Sequence, residues 1–283
     1  MRKFSSPAKW ILCGEHAVVR GGKAVAFPFR DYTCSIFERP SFLKSTSLGS
    51  LWTTIVSLIQ IAAEFLNVTP EKLPRNVVAE SDIPMKAGLG SSAALCASVA
   101  RLLQHYGLCD DPFALAKRLE NKFHGKSSGL DVAVALTNKP VVFQKNRATK
   151  FLEPTFWPYM ILTYSGQKSA TFDCVKAVND LFLKNEKLAF ELDERMNLAS
   201  DLCEEAFKSG NFNKLKDGVN LANDVFRGWG LCDPKTIAHM EELFSNGAVA
   251  VKPIGSGLGG YILSLWEEKP KKYVDIGLTL KEP

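Results

Sequence analysis

One stretch of the chain decides the expected fold: Ile83-Pro84-Met85-Lys86-Ala87-Gly88-Leu89-Gly90-Ser91-Ser92-Ala93-Ala94. Two glycines alternate with bulky residues, and two serines follow where a helix is predicted, from Ser92 to about His105. Glycine lets the backbone approach a ligand closely because it has no Cβ. A helix start presents free N–H groups and the positive end of its dipole. The stretch therefore predicts a cradle for phosphate, in which the serine hydroxyls add donors or bind Mg²⁺.

The same stretch is open to other interpretations. A glycine turn between a strand and a helix is the structural alternative. Gly88-x-Gly90-x-x-Ala93 also fits the dinucleotide pattern, which would indicate a dehydrogenase. That pattern should follow a buried strand directly, but Pro84 and Lys86 interrupt the approach. The acid that should end a second strand is also misplaced, because Asp110 follows a helical segment and a turn. A P-loop is excluded, since no Gly-Lys-Ser/Thr occurs here.

The composition bounds the class of protein. With 283 residues, of which 46% are hydrophobic, the chain can form two packed domains or one large one. The net charge of +5 is scattered, which is compatible with an anionic substrate. A nucleic-acid-binding protein is not indicated, because no dense basic run with interleaved aromatics occurs. The seven cysteines are widely spread and lack metal-site spacing, which predicts reduced thiols in a cytosolic protein.

Two segments resemble targeting or membrane signals without meeting their requirements. Met1-Arg2-Lys3 is basic like the start of a signal peptide, but Lys9, Glu15 and His16 interrupt the apolar core that must follow. The apolar segment from Leu51 to Leu66 carries Gln60 and Glu64 and is short for a bilayer span. A soluble, cytoplasmic protein with no membrane partner is therefore expected.

Hydrophobic patterning predicts a mixed α+β protein whose strand-rich and helix-rich halves meet near residue 150. A β-meander with a hairpin at Gly21-Gly22 is expected to open the chain, over Trp10–Cys34. Further strands are predicted at Val77–Ser81, Val132–Leu136, Val141–Gln144, Trp157–Tyr164, Ala248–Lys252 and Tyr261–Trp266. Helices are predicted at Leu51–Leu66, Phe113–His124, Thr171–Leu183, Leu188–Ser209, Asn213–Phe226 and Pro234–Phe244.

A second glycine cluster spells Gly255-Ser256-Gly257-Leu258-Gly259-Gly260. It too contains Gly-x-Gly-x-x-Gly, but a predicted strand follows it instead of a helix. A strand, a glycine loop and a strand form a tight bend, which is either a structural hairpin or a backbone placed against a ligand.

Two groups of charged residues indicate polar sites. Lys9, Glu15 and His16 interrupt an otherwise apolar run, and burying a charge costs several kcal/mol unless it is paired. A polar site is one interpretation and a buried Lys–Glu pair the other. Glu120 lies near a helix end, and Asp131 follows a glycine turn and is expected to enter a strand. One such carboxylate can bind Mg²⁺ while the other contacts the nucleophile. The alternative is a solvated glutamate on the helix and an aspartate that caps the next element.

Taken in order, these motifs resemble those of the GHMP kinases. The resemblance rests on Lys9 with Gly14-Glu15-His16-Ala17-Val18-Val19, on Gly88–Ala94, on Glu120 with His124-Gly125 and Ser128-Gly129-Leu130-Asp131, and on Gly255–Gly260. Within the superfamily the Gly-Glu-His-Ala-Val-Val run and His-Gly-x-x-Ser-Gly-x-Asp are most similar to the mevalonate kinases. The resemblance implies an α+β fold with a ribosomal-protein-S5-like domain over 1–150 and a ferredoxin-like domain over 151–283, with ATP between them. A homodimer is also common in the family.

The resemblance further implies a role for each matching position. The ATP phosphates would be bound by Gly88, Leu89, Gly90, Ser91, Ser92 and Ala93, with Gly257 closing over them. Ser92 and Glu120 would hold Mg²⁺. Asp131 would accept the substrate hydroxyl proton or orient that oxygen, and Lys9 would neutralise charge beside it. Glu15, His16 and Thr171 would contact a small hydroxy-acid substrate such as mevalonate.

Several positions depart from the family pattern. Ala8 replaces a glycine, Leu258 interrupts a glycine run, Lys126-Ser127 replaces Asn-Pro, and Val132-Ala133 replaces polar residues. The changes at 126–133 border the expected acceptor pocket, and an extra lysine there would suit an acceptor that already carries phosphate. Phosphomevalonate kinase is therefore the nearest alternative. A non-catalytic ligand-binding homologue is the alternative of a different class, although it would be free to lose Lys9, Ser92, Glu120 or Asp131.

Overall fold

The computed structural model describes residues 2–38, 51–85, 87–169, 171–273 and 277–283. Of the motifs above, Met1, Lys86 and the side chain of His124 lie outside the described residues. The chain divides into two compact units. The first comprises Met1–Lys9, Pro28–Pro84 and Gly90–Asn138, and the second comprises Trp10–Phe27, Met85–Leu89 and Lys139–Pro283.

The first sheet is built on a long two-stranded hairpin, which confirms the hairpin predicted at Gly21-Gly22 but not the full meander. Its strands are β1 (Lys3–Cys13), β2 (Lys23–Glu38), β3 (Val77–Ser81), β4 (Val141–Gln144) and β5 (Lys150–Phe151). They pair in the order β1-β2-β4-β5, with β3 also paired to β2. In the first unit Cys34 of β2 lies opposite Ser81 of β3, and in the second unit Lys23 of β2 lies opposite Gln144 of β4.

Among the described residues, the first unit holds four α-helices: α1 (Trp52–Leu66), α2 (Ser91–His105), α3 (Pro112–His124) and α4 (Leu130–Thr137). Almost every side chain of α2 between Ala93 and Leu103 is buried, and most of these residues are alanine or leucine. Both α3 and α4 pack against this helix. Asp111 caps α3 by accepting a hydrogen bond from the Ala114 N–H at 2.9 Å. Because α3 and α4 both pack against α2, the direction of its first turn is fixed within the first unit.

The predicted strand at Val132–Leu136 is wrong, because these residues form α4. A short, continuous apolar run looks the same whether it is a strand or a buried helix, and its valines favour the strand. The helix is set by its start, where the N–H groups of Gly129 and Leu130 donate to the Ser127 and Ser128 hydroxyls at 3.0 and 3.2 Å. Asp131 therefore lies in the first turn of a helix and does not enter a strand.

The second unit contains a four-stranded antiparallel sheet in the order β7-β8-β6-β9. Its strands are β6 (Tyr159–Tyr164), β7 (Ala250–Pro253), β8 (Tyr261–Trp266) and β9 (Leu278–Thr279). Its helices are α5 (Thr171–Lys184), α6 (Glu186–Ser209), α7 (Phe212–Gly228) and α8 (Pro234–Ser245). The predicted helices and the strand–glycine loop–strand unit at 255–260 are confirmed within a few residues.

The helices of the second unit cover this sheet and each other. The helix α7 packs against α6 and β7, and α8 packs against β7 and β8. Trp10, Phe27, Trp157 and Phe207 form an aromatic cluster in the same unit, with the Trp10 and Phe27 rings stacked at 4.8 Å. Throughout the described part of the chain, every helix is too short or too polar to cross a membrane.

Candidate active site

The first unit brings Lys9 and Asp131 together in an ion pair. The Lys9 Nζ lies 2.9 Å from Asp131 Oδ2, and the lysine side chain is 4% exposed while that of the aspartate is 26% exposed. Lys9 reaches this position from β1, and Asp131 reaches it from the first turn of α4. A buried ammonium thus faces a carboxylate that solvent and a ligand can reach, and this carboxylate can accept a proton or orient a hydroxyl.

Glu120 is the second carboxylate of this cluster and is almost completely buried. It accepts a hydrogen bond from the Ser127 hydroxyl, and the Ser127 N–H donates in turn to Asn121 Oδ1 at 2.8 Å. Burial, and after it the negative charge of Asp131, raises the pKa of Glu120 from 4.5 to about 8. Lys9 and the Ser127 hydroxyl oppose this rise without cancelling it.

The start of α2 is shaped by Gly90, which has a left-handed backbone with φ 73°. A Cβ at this position would lie 2.8 Å from both Cγ and Cε of Lys9. The glycine therefore lets the loop pass directly over the lysine side chain. The N–H groups of Ser91 and Ala93 lie in the first turn of α2, where the helix itself offers no acceptor. This end of α2 fits an anion such as a phosphate.

Glu120 lies near Cys96 of α2, which follows Ser92 by four residues and shares its helix face. Burial, and then the nearby charge of Glu120, raises the pKa of the Cys96 thiol. A hydroxyl and a carboxylate are the hard oxygen ligands that Mg²⁺ takes, usually with substrate phosphates and water. Since the buried Glu120 faces the negative Asp131, a divalent cation would supply the charge that lets it ionise. The two side chains fit Mg²⁺.

In the second unit the two glycine-rich segments lie against each other. A Cβ on Gly88 would lie 3.4 Å from the Ile254 carbonyl oxygen, and one on Gly255 would lie 3.2 Å from the Gly88 Cα. Leu89 is buried beside them. Gly257 has no room for a side chain, because its Cβ would lie 2.8 Å from Leu231 Cβ. Leu258, the departure from the family pattern, adopts φ 52°. Backbone thus approaches backbone in this part of the unit.

His16 and Thr171 both contact Ser256, which lies between Gly255 and Gly257. The ring Nε2 of His16 lies 2.9 Å from the Ser256 carbonyl oxygen, and burial lowers the pKa of this histidine to about 4. The neutral ring therefore donates from Nε2. Thr171 Oγ1 lies 3.3 Å from Ser256 Oγ, which is 2.7 Å from Ser169 Oγ. The result is a cluster of hydroxyls beside Gly257.

Glu15 forms a buried ion pair with Lys252. Glu15 Oε1 lies 2.6 Å from Lys252 Nζ, and both side chains are almost inaccessible to solvent. The lysine ammonium also lies over the Phe226 ring, 5.1 Å from its centroid. Lys9 and Glu15 thus have different partners: Lys9 pairs with Asp131, and Glu15 pairs with Lys252. Glu15 therefore holds its loop to β7.

Sequence reasoning missed several polar residues of these clusters. Ser127 was expected only to border the acceptor pocket, whereas its hydroxyl donates a hydrogen bond to Glu120. Lys252 was passed over, although a lone lysine in an apolar strand is the same signal that singled out Lys9. Arg20 follows the His16 loop and makes two hydrogen bonds to Asp193 of α6, at 2.5 and 2.6 Å. No local pattern links these two positions.

Comparisons with known proteins agree with this architecture. Residues 55–139 match the family model "GHMP kinases N terminal domain". The mevalonate kinase of Archaeoglobus fulgidus is 28% identical, over 94% of this chain and 93% of that protein. The structure of L. major mevalonate kinase in complex with R-mevalonate has a TM-score of 0.75 at 19% identity, covering 98% and 90% of the two chains. A phosphomevalonate kinase from Streptococcus pneumoniae, solved with phosphomevalonate and AMPPNP, has a TM-score of 0.75 at 18% identity, covering 99% of each chain.

These comparisons confirm the fold and the resemblance. The chain has the α+β fold of the GHMP kinases, and its sequence is most similar to mevalonate kinases among the relatives described above. The individual site residues and the domain boundary near residue 150 stay predictions.

Proposed function

We propose that this chain, which has the GHMP kinase fold, is an ATP-dependent kinase that phosphorylates the primary hydroxyl of mevalonate in isoprenoid precursor synthesis. The observation that carries the proposal is the Lys9–Asp131 ion pair at 2.9 Å, with Glu120 and the start of α2 in the same unit. The acceptor is proposed because mevalonate kinases are similar to this chain over more than nine-tenths of its length.

In the proposed reaction Asp131 contacts the acceptor hydroxyl. Its exposed carboxylate accepts the hydroxyl proton as the oxygen attacks the γ-phosphorus, or orients that oxygen for in-line transfer. Lys9 supplies positive charge at the point where negative charge develops on the transferring group. Because Lys9 is buried under Gly90, its ammonium is held in place before substrate arrives. Positioning and electrostatics, more than covalent chemistry, then account for the catalysis.

The ATP phosphates are proposed to lie along Gly88–Ala93, with the first-turn N–H groups of α2 as donors. Ser92 and Glu120 would hold Mg²⁺, which neutralises phosphate charge when it is bound. Gly257 would contact the ATP phosphates. The Thr171 hydroxyl, which lies in the hydroxyl cluster beside Gly257, would contact the acceptor. His16 would act as a neutral hydrogen-bonding group, since its pKa of about 4 leaves it uncharged near pH 7.

The test is ADP release from the purified chain with Mg·ATP and each of four acceptors: mevalonate, 5-phosphomevalonate, galactose and homoserine. Turnover on mevalonate alone is the expected result. Turnover on 5-phosphomevalonate alone would move the assignment to the phosphomevalonate kinases, one of which has the same fold. Silence on all four with ATP still bound would indicate either an acceptor outside these four or a non-catalytic homologue. Binding of NAD(H) in place of Mg·ATP would contradict a kinase altogether. A homodimer and a cytoplasmic location stay predictions.

A further inference from the structure

A polar pocket lies in the first unit, at the opposite end of α2 from Gly90. It has a volume of about 460 Å³, within the range of small-molecule sites. β1 and the last turns of α2 line it, with the side chains of Lys3, Phe4, Ser5, Arg101, Gln104 and His105. Among these lining residues there is no carboxylate, and every polar side chain can donate a hydrogen bond.

The cations of this pocket have no carboxylate partner among the described residues. Arg101 donates from Nη2 to the Leu136 carbonyl oxygen, while its buried Nε makes no hydrogen bond within the described part of the chain. Burial lowers the pKa of this guanidinium. Lys3 lies over the Phe37 ring at 5.6 Å. A desolvated guanidinium without a counter-ion gains more from an anion than a solvated one does.

His105 adds a further donor to the pocket. Arg2 Nη1 lies 2.8 Å from His105 Nε2, and because arginine can only donate, the ring accepts there. The neutral ring then carries its proton on Nδ1. The carbonyl oxygens of Leu102, Leu103 and Gln104 at the end of α2 already accept from the N–H groups of residues 106–108. The carbonyl groups at the negative end of α2 therefore already have hydrogen-bond donors in part. The nearby carboxylate of Glu38 accepts a hydrogen bond from the Tyr106 hydroxyl and does not line the pocket.

We propose that this pocket binds the phosphate group of a small phosphorylated metabolite, with Lys3 and Arg101 as its charged ligands and His105 as a neutral donor. The Phe4 ring, 5.3 Å from the His105 ring, forms the apolar wall against which an organic part of the ligand would lie. Phosphate suits this donor set because Arg and Lys bind it through charge-assisted hydrogen bonds.

Equilibrium dialysis with two probes, inorganic pyrophosphate and phenyl phosphate, tests this site in the full chain. Saturating Mg·AMPPNP keeps the probes from the proposed catalytic loop. One bound probe per chain is expected, weakened about tenfold in Lys3→Glu and in Arg101→Gln and unchanged in Arg118→Gln, an exposed control on α3. Lys3 is exposed, so its variant should fold even if the Arg101 variant does not.

The outcomes separate this site from the proposed function. Tighter binding of phenyl phosphate would assign an organic phosphate, and equal binding would assign the phosphate group alone; both support the site. Binding that is absent, or equal in Lys3→Glu and Arg118→Gln, would overturn it. If AMPPNP did not bind, the kinase proposal would fail while the Lys3 and Arg118 comparison still decided the pocket.

Discussion

At the scale of single residues, Asp131 is the carboxylate whose exposure and partner fit proton acceptance. We expect Asp131→Asn to lower kcat by at least ~10², because the amide can neither accept the proton nor pair with Lys9. Nucleotide binding should survive, since the ATP phosphates are proposed to lie on α2. Steady-state ADP release and the Kd for ATP check this, with Asp110→Asn, an exposed aspartate, as the control. Near-wild-type turnover would show that another group accepts the proton.

The raised pKa of Glu120 predicts that the stability of the metal-free protein depends on pH. This pKa is about 8 in the folded chain and near 4.5 when unfolded, so the folded state holds a proton that unfolding releases. Stability should therefore fall as pH rises from about 5 to about 8. We expect Glu120→Gln to remove this fall and to be more stable than wild type at pH 9, by on the order of a few kcal/mol.

Urea denaturation at pH 6 and pH 9 in EDTA measures this difference. Glu267→Gln, which removes an exposed carboxylate, is the control that should follow wild type at both pH values. A Glu120→Gln variant that changes with pH as wild type does would mean that Glu120 is ionised in the folded protein.

At the scale of elements, the crossing of Gly90 over Lys9 ties the start of α2 to β1. We expect Gly90→Ala to push the Lys9 side chain away from Asp131 and to lower kcat at least tenfold, because its Cβ would lie 2.8 Å from two lysine carbons. Gly107→Ala is a matched control: it has φ 67°, and its Cβ would meet nothing within 4 Å. Both variants should lose about 1–2 kcal/mol of stability from the left-handed backbone.

Activity and urea unfolding of the two glycine variants separate backbone strain from displacement of Lys9. If both lost activity equally, strain alone would explain the effect, and the contact with Lys9 would carry no catalytic role.

The elements also show what sequence can and cannot predict. Helices α5 to α8 were predicted within a few residues because their apolar positions repeat with helical spacing over several turns. Helix α4 was not, because a run in which Leu130 and Val132 to Ala135 are all buried has no polar face to reveal its period. Its start depends on two serine hydroxyls and a glycine at 127–129, which were expected to form a turn that leads into a strand.

Site residues were predictable where a charge interrupts an apolar run. Lys9 and Glu15 stood out in this way, but their partners did not, because Asp131 and Lys252 are far away in sequence. An ion pair between distant elements depends on how those elements pack, and no local pattern records that. The family resemblance supplied Asp131, whereas nothing in the sequence alone linked Glu15 to Lys252.

At the scale of the whole molecule, the seven cysteines are all free thiols. Six are buried and Cys232 is half-buried, and burial raises the pKa of Cys34 to about 12 and that of Cys232 to about 11. Since the thiolate is the reactive form, these thiols should be slow nucleophiles near neutral pH. The chain thus relies on packing and ion pairs for its stability and not on covalent cross-links.

We therefore expect the native chain to react slowly with Ellman's reagent at pH 7.5, with at most about one thiol labelled quickly, and all seven to react after denaturation. Cys232→Ser should remove the fast phase, because Cys232 is the least buried thiol. The melting temperature should be the same with and without dithiothreitol, since no disulfide contributes. Fewer than seven reactive thiols in the denatured, unreduced chain would reveal an oxidised pair. Cys13 and Cys203, with sulfurs 3.3 Å apart, would be the first to examine by mass spectrometry.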